Sequence, residues 1–361
     1  MFDRRGTGTT LVAACGVALA IGLVLVRGES LPGSVSSSQS KMRGVCWEGT
    51  AKVDGEALDP LRALGADWIS QTPFGWSPSL SAPAVGSFTG RSHAFRGLWG
   101  ESDEGLAETA RLARARRIKT LLKPHLWVRG GVWAGEIEMK SEEDWRAWFA
   151  SYEAFVLHYA RLAEAERMEG LAVGTELPKA SRRTEDWRRL IARVRAVYHG
   201  PLTYCANWHE AEDVAFWGDL DFIGVQAYYP LTKSERPTPE EIRAAWKPIV
   251  ARLASLSERT GKRIVFTEVG YKSLSASLAE PWKWDTQGEV DLDLQRDAYR
   301  AMFESVWAEP WFGGTFLWKW HPSLGRGTPA WRPWRAQRVD RDFTPQGKPA
   351  LEVVRQFYTR P

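Results

Sequence analysis

Cysteine is scarce, and three residues in 361 cannot build a disulfide framework. Cys15 falls in an apolar N-terminal run, while Cys46 and Cys205 fall in separate predicted strands and read as small buried hydrophobes. Histidine is also scarce, with six in all. No Cys/His cluster has metal-ligand spacing, so no cofactor is expected. Nor is there an excess of charge of one sign. The 48 basic and 44 acidic residues leave +4, too balanced to suggest a nucleic-acid partner. A glycine-rich phosphate loop is missing too, since the first predicted strand runs into Trp47-Glu48-Gly49-Thr50.

Tryptophan is what the chain has in excess, at 20 residues. Many fall in expected loops: Trp76, Trp99, Trp133, Trp282, Trp284, Trp331 and Trp334. Flat aromatic faces suit the C–H faces of sugar rings, and they equally staple long loops to a core. At the N-terminus, Arg4 and Arg5 precede an apolar run from Leu11 to Val26, closed by Arg27 and followed by a Ser-rich stretch. We read residues 1–29 as a signal peptide or membrane anchor, 30–41 as a flexible linker and 42–361 as the folded domain. The domain is then expected outside the cytoplasm, either secreted or held to the membrane through an uncleaved segment, and as a monomer.

From Met42 the chain alternates strand and helix. Eight strands are expected: Arg43–Trp47, Asp67–Thr72, Ile118–Leu122, one ending at Glu176, Leu202–Cys205, Phe222–Gln226, one carrying Glu268, and Gly314–Trp318. Helices fall between them. Ser141-Glu142-Glu143-Asp144 caps one whose aromatics recur at helical spacing, and Thr238-Pro239 opens another that stops before Gly261. Residues 73–100 read as one long loop, of a length that is usually functional. Eight such alternations predict a closed (β/α)8 TIM barrel.

Two of these strands share an ending. Gly170 to Thr175 and Arg263 to Thr267 are short apolar runs, and each delivers a glutamate, Glu176 or Glu268, at the edge where such barrels place their chemistry. The fourth and seventh strands lie across the barrel mouth, so the two carboxyls can approach one another over a cleft. Retaining glycoside hydrolysis needs such a pair about 5–5.5 Å apart, one as nucleophile and one as acid/base. Their environments must differ so that one keeps its proton near neutral pH. Tyr228, after the sixth strand, is the candidate donor to Glu268. Glu48 is a third strand-end acid and reads as a salt-bridged rim residue.

Lys123-Pro124-His125 with Trp127, Val173-Gly174-Thr175-Glu176, Phe266-Thr267-Glu268-Val269-Gly270-Tyr271 and Phe316-Leu317-Trp318, in this order and at these strand positions, resemble glycoside hydrolase family 113, over residues 42–322. The resemblance implies Glu176 as acid/base, Glu268 as nucleophile, and β-1,4-mannan or a mannose-containing glucan as substrate. Where the wider clan has Asn before the acid/base, Thr175 stands here, and Asn207 is the other candidate for that contact. Further substrate-binding candidates are His125, His209, Gln226, Tyr228, Trp47 and, as the floor under the reacting sugar, Trp318. A structural hydrogen bond in the barrel rim remains the other reading of both histidines. The expected function is an endo-acting retaining β-mannanase. An exo-acting β-glycosidase on the same barrel, or a catalytically silent carbohydrate-binding protein at the cell surface, are the alternatives.

Overall fold

The computed structural model describes residues 40–49, 52–87, 99–324 and 339–360. The expected N-terminal segment with Cys15, nearly all of the linker, and Phe88, Phe95, Trp331 and Trp334 lie outside the described residues.

Eleven strands are described: β1 (Met42–Trp47), β2 (Trp68–Gln71), β3 (Phe74–Ser77), β4 (Gly86–Ser87), β5 (Lys119–Leu122), β6 (His125–Val128), β7 (Gly170–Thr175), β8 (Leu202–Asn207), β9 (Ile223–Gln226), β10 (Ile264–Val269) and β11 (Phe312–Trp320). Eight of them, β1, β2, β5, β7, β8, β9, β10 and β11, close in that order into a parallel barrel. Their residues are buried almost throughout because helices cover the outside and side chains fill the inside. Inside, Cys46, Trp68, Leu121, Phe222, Val265 and Phe316 converge from six strands or their edges and plug the barrel. Truncating one of the large ones, such as Phe316, would cost about 3–5 kcal/mol. Cys46 and Cys205 are both free and buried.

The helices start where short polar side chains satisfy their first amides. Ser102 caps α2 (Asp103–Ala115), Ser141 caps α3 (Glu142–Ala165), and Thr238 with Glu241 forms a capping box on α5 (Pro239–Thr260). The remaining helices are α1 (Asp59–Leu64), α4 (Thr184–Arg195), α6 (Leu292–Val306) and α7 (Pro349–Tyr358). The aromatic stripe of α3 faces the core, with Trp148, Tyr152 and Tyr159 at 1% exposure or less. Gly174 in β7 permits close packing here, since a Cβ on it would lie 2.6 Å from the ring of Trp187 on α4.

The stretch read as one loop, 73–100, is partly sheet. β4, β3 and β6 form a second, three-stranded sheet, in which β3 runs parallel to β6 with Phe74 opposite His125 and Trp76 opposite Trp127. Barrel neighbours β2 and β5 are each followed within three residues by a proline, and the chains resume pairing just beyond it. This satisfies backbone groups that a bare loop over the barrel would leave to solvent. It also explains why the strands were not expected: each is four residues or fewer and carries no period of its own.

Candidate active site

The strand-end carboxylates sit in opposed surroundings. Glu268 lies inside β10, in extended backbone, and is 5% exposed. Tyr228 Oη, beyond β9, donates to its Oε2 at 2.9 Å. Lys123, beyond the end of β5 and fully buried, donates to its Oε1 and also to the Thr267 carbonyl at 3.1 Å. Burial alone would push the Glu268 carboxyl up, but the Lys123 ammonium outweighs it and holds the group below its usual range. In turn, the carboxylate keeps Lys123 charged against its own burial.

Glu176 lies one residue past β7, with a left-handed φ of 50°. Its carboxyl is met by neutral donors. Asn207 Nδ2, at the end of β8, donates to Oε1 at 3.0 Å, and Trp133 Nε1 donates to Oε2 at 3.2 Å. Burial in the cleft, reinforced by the facing Glu268 carboxylate, raises its pKa to about 7. One carboxyl is thus held ionised and the other kept protonated close to neutral pH. That is the division that acid-assisted displacement at a glycosidic carbon requires. Among the described residues no group of three His, Cys, Asp or Glu could hold a metal ion.

With this geometry in view, the comparisons with known proteins decide the family. The profile of Glycoside Hydrolase Family 113 matches residues 58–348. The chain belongs to glycoside hydrolase family 113. A solved family 113 β-mannanase, AaManA from Alicyclobacillus acidocaldarius in complex with ManMIm, is 32% identical, with a TM-score of 0.75 over 90% of this chain and 99% of that one. A second family 113 structure, a β-1,4-mannanase complex, is 27% identical with a TM-score of 0.75, covering 89% of this chain and all of that one (100%). A family 5 mannosidase from Rhizomucor miehei, at 11% identity and a TM-score of 0.58 over 88% of this chain and 92% of that one, shares the fold. A search of curated proteins found no match.

The expected residues lie at different depths in the family 113 barrel. Trp47 is 4% exposed in the main hydrophobic core, and Gln226 is fully buried beside Glu268, its register partner, accepting from Thr267 Oγ1 at 3.0 Å. Thr175 also turns inward, donating to the Pro124 carbonyl at 3.2 Å. It is Asn207 that reaches Glu176. His125 Nε2 stands 3.7 Å from Glu268 Oε1, beyond hydrogen-bond range, and burial followed by the nearby Lys123 charge drops its pKa to about 3, which leaves the ring neutral. His209 is exposed and lies between Trp133 and Trp208, with ring centroids 6.1 and 5.2 Å away. Trp318 is half-buried on the plug of the barrel, with Lys123 Nζ 6.0 Å from its ring. Glu48 is a rim residue paired with Lys319 at 2.9 Å and His321 at 2.6 Å.

Sequence reasoning quoted Lys123 for its motif but gave it no role. A lysine continuing the apolar run Leu121-Leu122 was the available signal, because a buried ammonium needs a carboxylate partner. Trp133 was counted only among loop tryptophans. Its contact with Glu176 is long-range, between residues 43 apart in the chain, and beside it Lys179 pairs with Glu136 at 3.0 Å and Glu138 at 2.9 Å.

Proposed function

We propose that this family 113 enzyme cleaves β-1,4-mannosidic bonds in mannan or glucomannan by retaining double displacement, with Glu268 as nucleophile and Glu176 as acid/base. The observation that carries the reading is the opposed state of the two carboxyls, Glu268 ion-paired to Lys123 and Glu176 held by neutral donors. In the first step a Glu268 oxygen attacks the anomeric carbon while Glu176 gives its proton to the glycosidic oxygen, and the C–O bond breaks to release the leaving sugar. In the second, Glu176 as base takes a proton from water, whose oxygen attacks the anomeric carbon and expels Glu268. The solved family 113 relatives described as β-mannanases support mannan as substrate.

Polymer binding is supported by aromatic faces along the rim. Trp133, His209, Trp208 and Trp282 form a row beside Glu176, and Trp208 and Trp282 stack at 5.7 Å. Two buried polar atoms at the site, His125 Nε2 and Asn207 Oδ1, have no protein hydrogen-bond partner, as groups awaiting sugar hydroxyls would. Mannohexaose digestion followed by NMR of the first-formed sugar tests the proposal. The expected result is internal cleavage with the β-anomer appearing first. Initial α-anomer would overturn double displacement, and stepwise release of mannose would overturn endo action. The apolar run between Arg5 and Arg27 supports export or membrane tethering, which cell fractionation would contradict if the full chain were cytoplasmic and soluble.

A further inference from the structure

Glu210 is a buried carboxylate to which the proposed chemistry gives no part. It is 3% exposed, sits three residues after Asn207, and has no cation in its hydrogen-bonding shell. Its Oε1 accepts from Tyr204 Oη at 2.7 Å, and its Oε2 accepts from the Asn207 backbone N–H at 3.0 Å. Tyr204 is fully buried against Trp187 and Phe216, and its hydroxyl also accepts from the Leu177 N–H at 2.8 Å. Leu177 follows Glu176, whose Oε1 accepts from Asn207 Nδ2. The chain of bonds therefore closes on itself: the Glu176 side chain, Asn207, Glu210, Tyr204, the Leu177 amide, and back to Glu176.

The ring encloses a strained point. Glu176 has a φ of 50°, a region that costs a non-glycine residue about 1–3 kcal/mol and persists only where the surroundings impose it. Two bonds impose it: the Glu176 N–H to the Cys205 carbonyl at 2.9 Å, and the Leu177 N–H to Tyr204. The second is only as rigid as the Tyr204 hydroxyl, which Glu210 fixes. Glu210 likewise fixes the backbone of the residue whose amide holds the Glu176 carboxyl.

We propose that Glu210 and Tyr204 are positioning residues for the acid/base: through the Leu177 amide they hold the left-handed bend that aims Glu176, and through Asn207 they hold the donor that orients its carboxyl. This rests on Glu176 being the acid/base. Both are buried, Glu210 at 3% and Tyr204 at 0% exposure, and act through Leu177 and Asn207. The charged and titratable groups around Glu176 are Glu268 from β10, Lys123 after β5, Tyr228 after β9 and Glu210 after β8. Burial raises the Glu210 pKa, and donors from Ser181, Tyr204 and the Asn207 N–H oppose that rise; in its ionised form Glu210 places a negative charge behind Glu176 that favours the protonated acid.

The test uses Glu210→Gln and Tyr204→Phe in the full chain, with enzyme concentration set by active-site titration so that loss of folded protein is not counted as loss of rate. Each is assayed on mannotetraose, whose leaving sugar needs a proton, and on 2,4-dinitrophenyl β-mannoside, whose leaving group does not. Misplacing a catalytic group by about 1 Å costs on the order of 100-fold, so kcat on mannotetraose should fall about 10- to 100-fold. The first step on the dinitrophenyl substrate, read as the burst, should change less than about 3-fold, since it needs no proton. In Glu210→Gln the limb of the kcat/KM profile that follows Glu176 should also move to lower pH. Equal losses on both substrates, or an unmoved limb together with wild-type rates, would overturn the proposal. If Glu210→Gln yields no folded protein, the leaving-group contrast in Tyr204→Phe decides alone. Glu176→Ala, run beside them, separates the two readings. If it shows no leaving-group contrast, the acid/base assignment fails. If it shows the contrast and the two variants do not, only the positioning role fails.

Discussion

The ends of β7 and β10 read almost alike in sequence, Val173-Gly174-Thr175-Glu176 against Val265-Phe266-Thr267-Glu268, yet they hold their carboxyls in opposite states. At β10 the glutamate is part of the strand, extended, and set against a buried ammonium. At β7 it is one residue beyond the strand, in a left-handed turn, and met only by an amide and an indole. Even the threonines differ in use, one bonding the Pro124 carbonyl across β5 and the other Gln226 on β9. Local grammar therefore places an acid at the barrel mouth, and partners from other strands decide what that acid does. The comparison can be broken by exchanging or removing those partners.

The largest effect should come from removing the carboxyls themselves. Glu268→Ala is expected to abolish turnover of every substrate, because no covalent intermediate can form. Azide should rescue it with α-mannosyl azide as product. Glu176→Ala should still glycosylate on an activated aryl mannoside, accumulate the intermediate as a burst, and yield β-mannosyl azide when azide is added, since azide needs no base. Identical behaviour of the two variants in product analysis would show that the β7 and β10 ends do not differ in role.

Lys123→Met should come next. It strands Glu268 in the barrel without its cation, and breaking a buried pair costs about 3–5 kcal/mol, readable as a fall in urea midpoint. The sign with pH follows from Glu268. Its folded pKa is depressed, so the pair stabilises the fold above the unfolded carboxylate pKa, and that stability is lost as pH falls through the folded value. The variant should lose this dependence, and the acid limb of its activity should move upward. An unmoved acid limb would mean that Lys123 does not set the state of Glu268.

How much of this was open to sequence reasoning follows from the range of the forces involved. The eight barrel strands and their helices carry their own signals, in apolar runs, capping residues such as Ser141 and Thr238, and stop residues such as Gly261. Glu176, Glu268 and the bond from Tyr228 were legible because the barrel topology alone brings the strand ends together. The β3–β4–β6 sheet was not, because four-residue strands owe their existence to their partners. How deeply Trp47 and Gln226 pack was not legible either: a residue at a strand end points either into the cleft or into packing, and the sequence does not say which. The bonds from Lys123 to Glu268, 145 residues on, and from the Leu177 amide to Tyr204, 27 residues on, pair groups that no local pattern brings together, even though a lysine in an apolar run hints at a buried partner.

The smallest expected effect tests the β7 environment alone. Activity requires Glu176 protonated, so kcat/KM should fall as pH rises through about 7, the value to which burial and then Glu268 lift the group. Trp133 opposes that lift by donating to the ionised form. Trp133→Phe keeps a flat face for the sugar and removes only the N–H, so the carboxylate loses a donor and the basic limb should move to higher pH. A hydrogen bond to a charged group contributes about 1.5 kcal/mol and one pKa unit is about 1.4 kcal/mol, but solvent reaches this indole, so the shift should be about half a unit. The direction is opposite to that expected for Glu210→Gln, which removes negative charge from behind the same carboxyl. Profiles of the two variants on mannotetraose, whose leaving sugar needs the Glu176 proton, therefore bracket the wild-type limb, one on each side. If both limbs move the same way, the pH dependence belongs to some group other than Glu176.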